Sequence, residues 1–282
     1  MTDLIPLRNL KIVVFDLDGT LLDDKGTIGK DTKELIKELK EYNVRFTFAS
    51  GRLHSAIINF AEELGIKTPL ISLDGSLIKS YPDGKTIFES FIKKKHVEKA
   101  LDFVKQYTLN AALCHADAIY YTEENFIITQ LMEKFGAKYE QVPSYANYCD
   151  NTLEISISGD NKNFMKFVWE RMSFPHSIGL RSSYFKSHRH DNIYYIEIRK
   201  KNASKAKGML RLLKYLKIKP QEAAVIGDWY NDISLFKTKA FKVALSNAVP
   251  EIKRMSDLVT EKSNNEDGTS EFLERLLKAK KG

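Results

Sequence analysis

A polar run that directly follows a short apolar segment places the strongest constraint on how this chain can fold. The apolar residues 12–14 predict a buried β-strand, and the run FDLDGT at residues 15–20 continues from it without a break. This run holds Asp16 and Asp18 one residue apart at the strand end, and Gly19 then allows a sharp turn. Such a pattern fits a parallel α/β sheet, in which ligands bind beyond the carboxyl ends of the strands.

Two carboxylates held this close repel each other unless a cation or a proton lies between them. The pair of Asp16 and Asp18 therefore indicates a hard metal ion, a carboxylate nucleophile, or both. An Asp-rich turn that caps a helix or binds water is the alternative interpretation, and this run alone does not decide between them.

Strand and helix alternate at both ends of the chain, which predicts a doubly wound parallel sheet. Asp31 and Glu34 have capping-box spacing at the start of the first predicted helix. The predicted elements before residue 76 are strands over 11–15, 44–49 and 70–73 and helices over 31–42 and 53–64. Those after residue 193 are strands over 194–198, 223–226 and 241–245 and helices over 204–216 and about 270–280.

The middle of the chain predicts a second, α+β domain. A turn at residues 81–84 predicts a hairpin. The elements predicted after it are helices near 95–107, 124–135 and 162–172, strands over 111–121 and 152–158, and further strands to about 190. The predicted fold class is therefore α/β: a core of residues 1–83 and 190–282, with an insert of residues 84–189.

Composition narrows the functional classes. The chain has 282 residues and a net charge of +7. Its lysines are scattered rather than interleaved with aromatic residues, which fits a small anionic partner better than nucleic acid. No stretch approaches the roughly 20 apolar residues that a membrane span needs. The N-terminus has no apolar signal core, and Cys114 and Cys149 match no metal or redox spacing, so we expect a cytoplasmic protein.

Ser50 ends the second predicted strand, in the run FASGR. A hydroxyl followed by the turn at Gly51 and a helix can bind an anion together with exposed backbone N–H groups. A plain helix-capping serine is the alternative.

Helix periodicity distinguishes between two lysines in the predicted helix over 204–216. At about 100° per residue, Lys205 falls on the apolar face that includes Met209 and Leu212, whereas Lys207 points the opposite way. A lysine in the first turn on this face aims its ammonium at the strand ends. The alternative is a lysine that extends past the edge of the core.

The run GDWYND at residues 227–232 also follows a short apolar strand and opens into a helix. Asp228 is predicted at the strand end, where it can complete a cation site with Asp16, and Asp232 lies one helical turn further on. Asn231 can bind a phosphate oxygen or orient Lys205. An Asp-capped loop is the alternative.

Taken together, these runs resemble the four motifs of the haloacid dehalogenase superfamily of phosphohydrolases. The chain looks most like the Cof-like branch, which carries a class IIB α/β cap inserted between the second and third motifs. The matching segments are FDLDGT, FASGR, SKAKG at 204–208 and GDWYND, with LDGS at 73–76, SNA at 246–248 and NNEDG at 264–268. Three departures are Asp74 in place of a usual Asn, Asn202 in place of a common Gly, and the bulky pair Trp229-Tyr230.

The resemblance implies Mg²⁺-dependent hydrolysis of a phosphate monoester, with a sugar phosphate as the expected substrate. Asp16 would form an aspartyl-phosphate, and Asp18 would act as general acid and base. The residues implied to hold the phosphate are Ser50, Gly51, Lys205 and Asn231. Those implied to hold the metal are Asp16, the backbone carbonyl of Asp18, and Asp228, with Asp232 behind them.

Other functions remain open at this point. A phosphomutase on the same architecture would return the phosphoryl group to sugar, and a non-catalytic protein would bind or sense a phosphorylated ligand. A phospho-acceptor receiver module is usually about half this length. The expected partner is a small phosphorylated metabolite, and the expected oligomeric state is a monomer. Candidate contacts to its organic part are His115, Tyr120, Tyr121, Arg181, His188 and His190.

Overall fold

The computed structural model describes residues 5–123, 138–187 and 192–282. The described α-helices are α1 (Ile5–Arg8), α2 (Lys30–Glu41), α3 (Ile58–Glu63), α4 (Lys94–Gln106), α5 (Lys162–Arg171), α6 (Lys205–Leu216), α7 (Ile233–Phe236), α8 (Pro250–Met255) and α9 (Gly268–Lys281). The described strands are β1 (Ile12–Phe15), β2 (Arg45–Phe48), β3 (Leu70–Ser72), β4 (Leu77–Lys79), β5 (Thr86–Glu89), β6 (Asn110–Cys114), β7 (Ile119–Tyr121), β8 (Tyr139–Gln141), β9 (Glu154–Gly159), β10 (Leu180–Lys186), β11 (Tyr194–Lys200), β12 (Ala223–Gly227), β13 (Phe241–Ala244) and β14 (Leu258–Val259). The predicted helix near 124–135 lies outside the described residues, as do His188 and His190.

The chain separates into two compact units. The first unit contains Met1–Gly51, Ile57–Ile87 and Ser204–Gly282, and the second contains Arg52–Ala56 and Phe88–Ala203. None of the described helices is both long and apolar enough to cross a bilayer.

The first unit is built on a five-stranded sheet in the order β14-β13-β12-β1-β2, and all four pairings are parallel. Every residue of β1 and β12 is buried, as the continuous apolar runs of a doubly covered parallel sheet require. A parallel bridge from Ala49 to Ile71 leads on to β3, which forms a small sheet with β4 and β5. The predicted α/β class is confirmed.

The order of the strands creates a switch point between β1 and β12. The chain leaves β1 for β2 on one side and later returns to β12 on the other, so neighbouring connections run in opposite directions. Such a point opens a crevice at the carboxyl ends of the two strands. The backbone N–H of Asp16 donates to the carbonyl of Ile226 at 2.9 Å, so residues that follow β1 and β12 lie side by side.

The second unit is α+β, with a six-stranded sheet in the order β10-β11-β9-β6-β7-β8. Its described pairings are antiparallel, apart from the parallel pair β7–β8. Helices α4 and α5 bury Val97 and Met165 in one apolar cluster with Ile155, Ile157 and Ile196 of the sheet. This cluster is the unit's own core.

Strand β11 shows that the predicted boundary at residue 190 is wrong. The prediction placed a strand over 194–198 in the core, but β11 pairs antiparallel with both β9 and β10 in the second unit's sheet. The first unit therefore resumes at Ser204. An apolar strand fits either sheet by its pattern, and only its hydrogen-bond partners decide which one it joins.

Local predictions also needed correction. The strand predicted over 111–121 is a hairpin of β6 and β7, and the helix predicted over 53–64 is shortened to α3. The capping box of Asp31 and Glu34 does not form, because α2 begins earlier, at Lys30, and Gly29 is its N-cap. Asp267 caps the helix instead.

The cap on α2 comes from a segment more than 200 residues away in the chain. The carboxylate of Asp267 accepts the backbone N–H of Thr32 at 3.1 Å and its hydroxyl at 2.5 Å. This contact joins the start of α2 to the turn that precedes α9.

Two glycines bring α6 against the turn that follows β3. A Cβ on Gly208 would lie 2.6 Å from Cγ2 of Ile71 and 2.9 Å from Cα of Gly75. A Cβ on Gly75 would in turn collide with the carbonyl oxygen of Ser204. The first turn of α6 is therefore held directly on the turn of residues 73–75.

We expect Gly208→Ala to destabilise the protein by about 1 to 3 kcal/mol, because the new methyl group overpacks this contact. The sign of the change in the free energy of unfolding is informative. In an uncrowded helix interior, alanine is about 1 kcal/mol more favourable than glycine, so the same substitution would stabilise the protein there. Urea unfolding measures the change. Leu210→Ala, at a position 41% exposed on the same helix, is the control and should shift stability far less. A Gly208→Ala protein as stable as wild type would contradict the close contact.

Candidate active site

Asp16 is the first residue after β1 and is buried, with 4% of its surface exposed. Its Oδ1 accepts the backbone N–H of Leu17 at 2.8 Å and pairs with Nζ of Lys205 at 2.6 Å. Burial raises the pKa of Asp16 well above its usual value, and the charge of Asp232 adds to this, while Lys205 opposes it. A strand end and two donors thus hold the carboxylate in a fixed orientation.

Lys205 lies in the first turn of α6 and is completely buried, whereas Lys207 is exposed, in agreement with the helix periodicity. Its ammonium group donates to Asp232 Oδ1 at 2.7 Å in addition to its contact with Asp16. Burial alone would lower the pKa of Lys205, but the carboxylates of Asp16 and Asp232 outweigh burial and raise it. Lys205 is therefore a buried, charged bridge between the segments that follow β1 and β12.

Asp228 follows β12 and is oriented by a threonine from the first run. The hydroxyl of Thr20 donates to Asp228 Oδ1 at 2.7 Å. A Cβ on Gly19 would lie 2.5 Å from Asp228 Oδ2, so this carboxylate needs glycine in the neighbouring turn. Burial raises the pKa of Asp228 to about 6, against the lowering effect of the Thr20 hydrogen bond. The role of Thr20 was missed at the sequence level, because the bond joins residues 208 positions apart.

Asp232 closes the loop that carries Asp228. Its Oδ2 accepts the backbone N–H groups of Asp228 at 3.1 Å and Trp229 at 3.2 Å, while Oδ1 binds Lys205. A Cβ on Gly227 would lie 2.6 Å from Asp232 Oδ2, which explains the glycine at the strand end. Both oxygens of Asp232 are thus used to shape the site.

The acids form a group that fits a small, hard divalent cation. Asp16, Asp228 and Asp232 are all buried and each offers an oxygen within 4.8 Å of the others. Three carboxylates face one buried ammonium, so the cluster carries excess negative charge. Carboxylate oxygens are the ligands that Mg²⁺ prefers. The side chain of Asp18 is exposed and lies outside this group.

The remaining candidate phosphate ligands lie at the same edge of the first unit's sheet. Ser50 follows β2, is fully buried, and donates its backbone N–H to the carbonyl of Ile71 at 3.0 Å. Gly51 comes next. In the loop after β12, Oδ1 of Asn231 is buried without a hydrogen-bond partner among the described residues. An orphaned polar atom at this position is consistent with a site that holds a polar ligand.

Two asparagines from the last third of the chain hold the turn that carries Asp18. Asn247 Nδ2 donates to the carbonyl of Gly19 at 2.8 Å, and its Oδ1 accepts the N–H of Asn264 at 3.0 Å. Asn264 Nδ2 donates to the carbonyl of Leu22 at 3.1 Å. These residues belong to the SNA and NNEDG segments, for which sequence reasoning assigned no role.

Two of the candidate contacts in the insert serve the packing of the second unit. His115 Nε2 lies 2.9 Å from the carbonyl oxygen of Tyr148, and its ring packs edge-on against Tyr120 at 4.9 Å. The hydroxyl of Tyr120 donates to Asp117 at 2.9 Å. Tyr121 is also buried, whereas Arg181 is exposed on β10.

Comparison with known proteins gives a consistent result. The profile of a family described as haloacid dehalogenase-like hydrolase matches residues 13–273. The phosphatase YwpJ of Bacillus subtilis is 26% identical over 95% of this chain and 100% of its own length. A solved structure from Thermotoga maritima has a TM-score of 0.81 at 26% identity, covering 94% of this chain and 97% of that one. A sugar phosphatase of haloacid dehalogenase subclass IIB shares the fold, with a TM-score of 0.77 at 20% identity over 94% of this chain and 98% of that one.

We expect Asp228→Asn to stabilise the metal-free protein. Because burial raises the pKa of Asp228 to about 6, the folded state binds its proton more tightly than the unfolded state. Stability is therefore lost as the pH rises from the ordinary aspartate pKa through about 6. In EDTA at about pH 8 the variant should gain roughly 1 to 3 kcal/mol in urea unfolding, and the gain should shrink toward pH 4.

The exposed Asp31→Asn is the control and should show no such gain. Excess Mg²⁺ should raise the unfolding midpoint of the wild type but not of Asp228→Asn. An Asp228→Asn protein less stable than wild type in EDTA would show that the buried charge carries no cost.

Proposed function

This chain belongs to the haloacid dehalogenase-like hydrolase family and is a phosphatase of its Cof-like branch, and on that premise we propose that it hydrolyses a sugar phosphate through an aspartyl-phosphate on Asp16. The observation that carries this proposal is the buried contact of Asp16 with Lys205 beside Asp228 and Asp232. This arrangement supplies an oriented carboxylate, a fixed ammonium group and a place for a metal at the carboxyl ends of β1 and β12.

Asp16 acts as the nucleophile in this proposal. Its Oδ1 is engaged by Leu17 and Lys205, so we assign the attack on phosphorus to Oδ2. The new bond joins Oδ2 to phosphorus as the bond from phosphorus to the leaving alkoxide breaks. Lys205 favours the ionised form of the attacking carboxylate and so opposes burial, which favours the protonated form.

Asp18 acts as the general acid and base. It sits two residues beyond the nucleophile, in the turn that Asn247 holds through the carbonyl of Gly19. In the first step it gives its proton to the leaving alkoxide. In the second step it takes a proton from the water that attacks phosphorus, which regenerates Asp16 and releases inorganic phosphate.

The metal in this proposal is Mg²⁺, which Asp16, Asp228 and the backbone carbonyl of Asp18 would hold. When bound, it supplies positive charge that offsets repulsion between the acids and the phosphate. Thr20 and Asp232 orient the carboxylate of Asp228 and its loop from behind.

We assign the other phosphate oxygens to four hydrogen-bond donors. These donors are the hydroxyl of Ser50, the N–H of Gly51, the ammonium of Lys205 and the amide of Asn231. Preorganised donors stabilise the charge that develops during transfer, because they need no reorientation at the moment of reaction. We assign selection of the substrate's organic part to the second unit.

Asp16→Asn should reduce phosphate release by on the order of a thousandfold or more while the protein stays folded, because the amide cannot act as the nucleophile. The measurement is phosphate release from a panel of sugar phosphates and other phosphorylated metabolites, with unfolding curves in parallel. Asp31→Asn is the matched control and should retain full activity. A panel that yields isomerised sugar phosphate instead of free phosphate would favour a mutase, and full activity in Asp16→Asn would remove Asp16 as nucleophile.

Asp18→Asn should let the phosphoenzyme accumulate, because water then attacks without its general base. Loss of a general base slows a step by about a hundred- to ten-thousandfold. Rapid quench with the best substrate, followed by intact-protein mass spectrometry, should detect one added phosphoryl group. The double variant with Asp16→Asn should show none. If single-turnover rates of Asp18→Asn match wild type, Asp18 is not the acid and base.

A further inference from the structure

Three consecutive residues after β3 adopt left-handed backbone conformations. Leu73, Asp74 and Gly75 have φ angles of 47°, 48° and 87°. Glycine and aspartate tolerate this region, but leucine adopts it only against a steric cost. Such strain persists where the surrounding structure over-determines it, and it clusters at functional sites. The turn therefore places Asp74 by constraint rather than by local preference.

Two observations locate the carboxyl group of Asp74. The backbone N–H of Asp74 donates to the carbonyl of Ser50 at 3.0 Å. Oδ1 of Asp74 is buried and lies 3.5 Å from the point at which Gly51 would carry a Cβ. The carboxyl group thus lies beside the Ser50–Gly51 corner, which is one of the proposed phosphate-holding positions.

The same turn is packed on the helix that carries Lys205. Gly75 and Gly208 are in such close contact that neither can carry a Cβ without a shift of its neighbour. The charge of Asp74 is close enough to raise the pKa of Lys205, after the larger effects of burial, which lowers it, and of Asp16 and Asp232, which raise it. Asp74 is therefore a further carboxylate near this ammonium, and it is not one of the acids that form the metal group.

We propose that Asp74 limits how tightly the site holds an oxyanion, by placing a negative charge beside the Ser50–Gly51 corner and Lys205. The inference rests on the proposed function, because it concerns the phosphate that this function produces. Substrate phosphate and inorganic phosphate are both dianions near neutral pH, so one neighbouring carboxylate weakens the binding of each. When the substrate is bound less tightly, the free-energy difference between bound substrate and transition state is smaller. When inorganic phosphate is bound less tightly, the product leaves faster. Asp74 thus favours turnover over retention of phosphate.

The test compares variants that separate the charge of Asp74 from its backbone role. Asp74→Asn keeps the size and tolerates the left-handed backbone, Asp74→Gly adopts it without cost, and Asp74→Glu keeps the charge. The measurement is the inhibition constant of inorganic phosphate against p-nitrophenyl phosphate hydrolysis, with excess Mg²⁺. Asp83→Asn, in the exposed hairpin turn, is the control.

Removing the charge of Asp74 should lower the inhibition constant of phosphate on the order of tenfold. This is the effect expected for one nearby charge when the effective dielectric constant lies between that of protein and that of water. KM should fall with it, and kcat should not rise. Asp74→Glu should stay close to wild type. The difference between Asp74→Asn and wild type should narrow as salt is added, since salt screens partly exposed charges. A purely structural role would instead raise KM and lower kcat in all three variants.

An inhibition constant that is unchanged or higher in both Asp74→Asn and Asp74→Gly would overturn the inference. Calorimetric titration of each folded protein with inorganic phosphate and Mg²⁺ gives the same comparison without turnover. A wild type that releases no phosphate from any monoester would therefore refute the proposed function alone, while the titration still decides the role of Asp74.

Discussion

The buried ammonium of Lys205 is the interaction on which the rest of the site depends. It joins Asp16 after β1 to Asp232 in the loop after β12, at 2.6 and 2.7 Å. Taking such charges out of water is costly, and the cost is offset only when both partners are present with good geometry. Because Asp232 also holds the backbone of the loop that carries Asp228, this one cation fixes the relative positions of two strand ends.

That geometry needs the fold to bring distant segments into close contact. The switch point between β1 and β12 places Asp16 and Asp228 at neighbouring strand ends. The contact of Gly75 with Gly208 sets the first turn of α6, and with it Lys205, against the turn after β3. Glycines recur at these places because a side chain would push the charged groups apart.

The site concentrates negative charge that folding alone would disfavour. Burial raises the pKa values of Asp16 and Asp228, so the folded, metal-free protein carries an electrostatic cost at these residues. Left-handed Leu73 and Asp74 add conformational strain in the turn after β3. Functional sites commonly trade stability for preorganisation, and here the frame of hydrogen bonds from Thr20, Asn247 and Asn264 holds the acids in place.

The sequence by itself determined the α/β class, the acids at the ends of β1 and β12, and the buried side of α6, because these depend on periodicity and on short runs. Burial of Lys205 followed from its position relative to Met209 and Leu212. Only the tertiary structure decided that β11 joins the second unit, that Asp267 caps α2, and that Thr20 orients Asp228. The bonds of Asp267 and Thr20 join residues more than 200 positions apart, and the pattern of β11 does not show which sheet supplies its partner strands. Which residue or strand each segment contacts depends on proximity in three dimensions, and no local sequence pattern records it.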